Sequence, residues 1–346
     1  MPRFLLHLPV CLICALLPCN AQSSKDKAEL PSTPAIDAFL QFTKSLDLAD
    51  KNIGLEAKQG DGSSAYFKLK IDGKTWGAIL PDNSGNLVYG EILSFNLARA
   101  LGRPELCGPA VLKVLEGAAL KRFTTAMMET KFHGEERLLN QQAILERVSQ
   151  NPDYLETVLK MWGPKPYDVD ELTTPDDQFN TKEPFADFLN SQKPQPSSAL
   201  ISLPGVPGKA RESDLADQLS TIFLIDALTA QADRFSKGNI NAIAQDGVVS
   251  LVAYDNGGTW DKGEFLKLYL SWVTRFDRGV AQKILALNDF LNGPQKTFLN
   301  FHRKSDLRNA LGLETEDTYW KTFKDRLAAV ARHIRSQKGD CYFEVR

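Results

Sequence analysis

The chain has 346 residues, 43% of them hydrophobic, which is enough for one large or two medium domains with cores of ordinary density. Lys and Arg total 41 against 43 Asp and Glu, a formal net charge of -2, so no basic excess exists to condense on a nucleic-acid backbone, and nucleic acid is set aside as a partner. The histidines His7, His133, His302 and His333 are scattered without ligand spacing, which argues against a zinc site and against a His-dependent nucleophilic triad.

The first residues, up to Ala21, have the layout of a signal peptide. One Arg precedes an apolar run from Phe4 to about Leu17, and Cys19-Asn20-Ala21 follows ahead of a polar segment. The run is too short and wrongly flanked for a spanning helix. Cleavage after Ala21, a mature chain that is secreted or periplasmic, and no transmembrane segment are the expectations. Leu16-Leu17-Pro18-Cys19 offers a lipoprotein site as the weaker alternative, because a proline just before the cysteine is unusual. Outside this leader only Cys107 and Cys341 remain. Two cysteines in an oxidising compartment are compatible with one bridge or with two buried or free thiols, and geometry decides between them.

Residues 22–49 read as a leading helix and linker, with Ile36, Phe39 and Leu40 at helical spacing. "IGLEAKQG", "SAYFKLKI" and "TWGAIL" then form three short antiparallel strands, the last two joined by the tight-turn pair Asp72-Gly73. "GEILSFNLARALG" is a helix stopped by Gly102. Strands are expected on both sides of Glu116-Gly117, in "PAVLKVLE" and "AALKRFTTAMME". The stretch from about 163 to 213 holds eight of the 18 prolines and reads as an insertion without long elements. "SDLADQLSTIFLIDALTAQAD" is a long apolar helix with Ser213 as its expected N-cap, and the remainder is helix-rich. The expected plan is α+β and bilobal, with a small β-rich lobe over 50–130 and a larger helical lobe over 131–346.

The long helix runs into "ADRFSKGNINAIAQDGVVSLVAYDNGGTW". Asn239–Ala244 and Val248–Tyr254 pattern as strands around Gln245-Asp246-Gly247, so the hairpin brings Asp233, Arg234 and Asn239 near Asp255, Asn256 and Gly257. Converging carboxylate and amide oxygens suit a hard divalent cation, which takes one or two carboxylates together with waters and phosphate oxygens. Asp226 lies among Leu224, Ile225 and Leu228. A buried carboxylate needs a partner, and Arg234 or backbone amides are the expected ones.

With helix, Asp-Arg loop, hairpin and Asp-Asn-Gly in this order, the chain resembles the protein-kinase-like fold from about Gly54 to Trp260. It is most similar to the atypical branch that includes phosphatidylinositol kinases, HipA-type kinases and the secretory-pathway kinases related to four-jointed and Golgi casein kinase. The resemblance implies an ATP-dependent or other nucleotide-dependent phosphotransferase using Mg or Mn, with a protein or small-molecule hydroxyl as acceptor. It makes Asp233 the residue that orients or deprotonates the acceptor, and Asn239 and Asp255 the metal ligands. Gly60, Gly62 and Ser63 of "GDGSS" become the loop over the phosphates, Glu91 the helix glutamate that pairs with a phosphate-holding lysine, and Met128 part of an adenine-contacting connection between lobes. Two departures stand out. Asn239 follows Asp233 by six residues where five is usual, and Leu80 occupies the lysine slot. Lys68 and Lys70 are the candidate replacements, but Phe67, Leu69 and Ile71 form the inward face of their strand and turn both lysines to solvent. Leu80 therefore keeps a second reading open, a pseudokinase scaffold without catalysis, and transfer of a nucleotidyl group on the same fold is a third.

Overall fold

A computed structural model describes residues 28–59, 64–82, 88–162, 166–169, 172, 179–180, 184–235, 239–258, 264–315, 317–337 and 340–344. The expected signal peptide and the phosphate-loop candidates Gly60, Gly62 and Ser63 lie outside these residues. Among the described residues no helix is long and apolar enough to cross a membrane. The architecture is mixed α/β, and the chain divides into two compact units. Among the described residues, the first lies within 32–88 and 109–163, and the second within 28–31, 89–108 and 164–346.

The first unit begins with helix α1 (Pro34–Ser45). Thr33 caps it by accepting from the Ile36 amide at 3.3 Å, Pro34 occupies the first turn, and Asp37 and Lys44 suit the two ends of the helix dipole. Strands β1 (Ile53–Ala57), β2 (Phe67–Ile71) and β3 (Lys74–Pro81) follow as an antiparallel meander. Asp72 and Gly73 both take positive φ, +50° and +75°, as a two-residue turn between right-twisted strands requires. The sheet is completed by β4 (Ala110–Glu116) and β5 (Tyr154–Met161), giving the order β1-β2-β3-β5-β4. Gly77 is needed where β3 meets β5, since a Cβ there would lie 2.1 Å from the Lys160 carbonyl oxygen.

Two sequence expectations fail in this unit. Residues Gly117–Glu129 form helix α3 rather than a strand, helix α2 being the preceding Val88–Leu101. Leu120, Phe123 and Met127 are buried at a spacing of three and four, which is a helical stripe, and no alternation competes with it. The strand that pairs with β4 comes only after helix α4 (Glu135–Gln150), as β5. The final crossing from first to second unit therefore falls after residue 163, not at 130 as expected. Met128 sits on α3, 61% exposed, and belongs to no inter-unit connection. The apolar core of this unit gathers Phe67, Leu69 and Ile79 from the sheet with Leu120, Phe123, Met127 and Ile144 from the two helices.

In the second unit, α2 is followed by a short 3-10 turn at Pro104–Leu106, and Gly102 ends α2 with φ +79°. The proline-rich stretch contains only short elements among its described residues: β6 (Tyr167–Asp168), α5 (Pro184–Asp187), β7 (Leu200–Ile201) and β8 (Ala210–Arg211). Arg275 holds part of it by donating to the carbonyls of Phe188, Ser191, Lys193 and Pro194. Helix α6 (Glu212–Thr229) is buried on nearly every side, as an apolar all-round sequence demands. Its N-cap is Arg211 rather than the expected Ser213, and the Glu212 carboxylate instead accepts from the Ser197 amide at 2.8 Å. The hairpin of β9 (Ile240–Gln245) and β10 (Val248–Ala253) lies beside β6 in a three-stranded sheet. Helices α7 (Glu264–Trp272), α8 (Arg278–Asn292), α9 (Lys304–Ala310) and α10 (Asp317–Ser336) complete the unit. Cys107 and Cys341 are both buried free thiols, and burial pushes the Cys107 thiol up.

Candidate functional site

Helix α6 ends where its chemistry begins. Ala230 takes the left-handed conformation, φ +62°, and both its amide and that of Gln231 donate back to the Asp226 carbonyl, which turns the chain sharply out of the helix. Asp226 and Arg234, both with fully buried side chains, then face each other across this turn, with Nε and Nη2 donating to the two carboxylate oxygens at 2.8 and 2.7 Å. Burial raises the Asp226 carboxyl, with the Arg234 charge opposing it. For Arg234 burial works against the charge, but Asp226 more than offsets it and holds the guanidinium above its ordinary range. The expected brace is therefore present, and it reaches further than the sequence suggests.

Arg234 spends its remaining donors on three groups of the hairpin. Nη1 donates to the Asn239 and Tyr254 carbonyls, each at 2.7 Å, and Nη2 donates to Asn256 Oδ1 at 2.6 Å. One planar cation thus joins the end of α6, the start of β9 and the end of β10. Asn256 continues the chain of contacts, its Nδ2 donating to Glu91 Oε2 of α2 at 3.4 Å. Glu91 is fully buried and lies in the second unit, on the helix that flanks the Asp-Asn-Gly segment.

Asp233 and Asp255 stand at the exposed ends of this framework, while Arg234, Asn239 and Asn256 beneath them are buried. Gln231 joins the two acids: its Oε1 accepts from the Asp233 amide at 3.1 Å and its Nε2 donates to the Asp255 carbonyl at 2.7 Å. Asp255 adopts φ +49°, a left-handed conformation that Asp tolerates better than most residues and that the Gln231 bond helps hold. Asn239 Nδ2 donates to the Asp233 carbonyl at 2.5 Å and lies 3.4 Å from Asp233 Oδ2, so the six-residue spacing still closes the loop onto its own acid. Tyr269 of α7 donates to the Gln231 carbonyl at 2.8 Å, and the Ala232 amide donates to the Gly258 carbonyl at 2.7 Å. Gly258 is in tight quarters, because a Cβ there would lie 2.7 Å from Asp233 Cβ and equally close to Gln231 Oε1.

The structure thus brings Asp233, Asn239, Asp255 and Glu91 into one bonded framework within the second unit. Met128 and Leu80 belong to the first unit. No motif in the sequence marks Gln231, Gly258 or Tyr269; the proximity of Gln231 to both acids appears only once the hairpin is closed. Among the described residues no group of three or more His, Cys, Asp or Glu is arranged to hold a metal ion. Carboxylate and amide oxygens as a class suit Mg or Mn and suit zinc poorly.

No family model matches the chain, and no curated protein matches it. Among solved structures it is similar to the golgi casein kinase, with a TM-score of 0.50 and 15% identity over 88% of this chain and 75% of that one. A looser match, TM-score 0.33 and 12% identity over 93% and 77% of the two chains, is to the Shewanella oneidensis MR-1 HipA–HipB toxin–antitoxin complex with its operator DNA. The first of these is a distant likeness of fold alone.

Proposed function

We propose that the protein is a metal-dependent phosphotransferase that moves a phosphoryl group from a nucleotide, ATP in the first instance, to a hydroxyl of a protein or small molecule. The observation that carries this reading is the pair of exposed acids, Asp233 and Asp255, tied through one Gln231 to a buried Asp226–Arg234 brace. In this reading Asp233 orients the acceptor hydroxyl and takes its proton as the oxygen–phosphorus bond forms. The bond from the transferred phosphorus to the nucleotide diphosphate breaks, and the diphosphate leaves. Asn239 and Asp255 would hold Mg or Mn, which supplies positive charge to the phosphate oxygens. The protein's part is positioning and fixed electrostatics. If the expected leader ahead of Gln22 takes the protein out of the cytoplasm, it works in a compartment where ATP is scarce, so the donor nucleotide is itself a subject for test.

A second reading, a scaffold that keeps the fold without catalysis, is favoured by one observation: Leu80, in the slot where the resemblance calls for a lysine, is an apolar side chain only 5% exposed. Thermal unfolding of the chain from Gln22, with and without ATP plus Mg or Mn, decides between them. A ligand at about 100 times its Kd adds roughly 2.7 kcal/mol. The expected result is a cation-dependent rise in wild type that Asp255→Ala abolishes. No rise with any nucleotide would remove the phosphotransferase reading and leave the scaffold. Intact mass of a modified acceptor separates phosphoryl from nucleotidyl transfer.

A further inference from the structure

Phe235 lies two residues beyond Asp233, and two residues span at most about 7 Å of chain. Whatever fixes the Phe235 ring therefore limits where the Asp233 carboxylate can stand. Phe235 is buried in a cluster of aromatic rings that belongs wholly to the second unit. Phe223 of α6 meets it edge-on, with ring centroids 5.7 Å apart, and Tyr269 and Trp272 of α7 lie at 6.2 and 5.5 Å. Phe223 and Asp226, three residues apart, share one face of α6. That face holds two consecutive residues of the loop, Asp226 taking Arg234 by charge and Phe223 taking Phe235 by its ring.

The fifth ring of the cluster is Phe179, from the proline-rich stretch. It is buried, meets Phe223 edge-on at 4.9 Å, and lies 5.6 Å from Phe235 and 5.0 Å from Trp272. Edge-to-face contact suits the ring quadrupoles and has a preferred geometry that an aliphatic side chain does not supply. The same stretch is fastened again just past Trp272. The Leu189 carbonyl accepts from the Thr274 and Arg275 amides at 3.0 and 2.8 Å, and Thr274 Oγ1 accepts from the Ser191 amide at 2.8 Å. With the four carbonyls on the Arg275 guanidinium, these bonds tie residues 188–194 to the end of α7, the helix that carries Tyr269 and Trp272. Passive surface loops make few buried contacts. This one places a ring against Phe235, and the buried Arg275 holds it by its backbone.

We propose that Phe179 is a positioning residue for the Asp233 loop, so that the proline-rich stretch controls how firmly Asp233 is held. The inference rests on Asp233 being the acid at the acceptor, and it makes the stretch a regulator of that acid: whatever lifts Phe179 out of the cluster frees the loop. Hydrogen exchange read by mass spectrometry on the chain from Gln22 tests it without a nucleotide. The amides of Gln231, Ala232 and Asp233 donate to the Asp226 carbonyl, the Gly258 carbonyl and Gln231 Oε1, so their exchange reports opening of the loop. Phe179→Leu should speed exchange across residues 231–235 about tenfold or more, while α10 stays within about twofold of wild type. Phe290→Leu removes a buried ring of α8 that packs on Phe298, and should leave residues 231–235 within about twofold of wild type. Unchanged exchange there in Phe179→Leu, or an equal rise in Phe290→Leu, overturns the proposal. Should Phe179→Leu not fold, Phe179→Met carries the test with the same expected outcomes. Initial rates of ADP release from Mg·ATP separate this inference from the phosphotransferase reading. Misplacing the acid slows the chemical step, so Phe179→Leu should lower kcat about tenfold or more with KM for ATP within about twofold. A raised KM with unchanged kcat overturns the positioning role. A wild type that releases no ADP counts against the phosphotransferase reading alone, and the exchange data still decide whether Phe179 holds the loop.

Discussion

Replacing Asp226 with Asn leaves the shape of the brace and removes its negative charge. Asn can accept only one of the two Arg234 hydrogen bonds, and its amide group then faces the guanidinium as donor against donor. Arg234 remains fully buried with its charge uncompensated, since its other partners are carbonyls and an amide. Breaking a buried pair from one side costs about 3–5 kcal/mol, a large share of the roughly 5–15 kcal/mol that holds a typical domain. At about 2–4 °C per kcal/mol for a unit of this size, the expected fall in Tm is about 6–20 °C. Calorimetry of wild type and Asp226→Asn measures it. The double variant Asp226→Leu, Arg234→Met should regain part of the loss, because removing both charges leaves no buried ion behind. A Tm for Asp226→Asn within about 2 °C of wild type would refute the brace.

Gly258→Ala pushes a methyl group against Asp233 and Gln231. A loss of about 1–3 kcal/mol is expected from overpacking, together with loss of any nucleotide-dependent rise in Tm, and a variant that melts with wild type would show that the segment yields freely. Tyr269 is different in kind: burial holds its phenol well above the ordinary range. The folded state keeps that proton after the unfolded chain begins to lose it near pH 10, so the residue's contribution is present below about pH 10 and is lost as pH rises beyond it, by up to about 1.4 kcal/mol per pH unit. Unfolding free energies from urea titrations of wild type and Tyr269→Phe should therefore differ by about 1 kcal/mol at pH 8 and converge by pH 11, whereas a constant gap would contradict the shift.

The parts of the fold that chemistry dictates locally were legible in the sequence. Asp72-Gly73 and Asp246-Gly247 force tight turns, and Asp226 among leucines and isoleucines calls for a buried counter-ion, which the chain supplies eight residues later. Helix α3 was misread because Leu120, Phe123 and Met127 follow a hairpin-like Glu-Gly, and the glycine suggested a turn between strands. Gln231 carries no motif, and its bond to the Asp255 carbonyl depends on a hairpin closing over about twenty-five residues, a relation set by tertiary geometry. Alternation likewise tells which residues share a face within one strand, but only the register between strands shows that Lys68, Ala78 and Lys160 form one row.

The second unit is assembled from three separate stretches of chain, with the first unit's residues threaded between them. As the polypeptide emerges, α2 is made early, yet Asn256, the hydrogen-bond partner of its Glu91, comes much later. At about 5–20 residues per second, the 165 residues from Glu91 to Asn256 take about 8–33 s to appear. During that interval Glu91 lacks Asn256. No single cut in the chain can separate the two units, and a fragment ending anywhere before the hairpin leaves α2 permanently without this bond, a state it otherwise passes through only while the protein is being made.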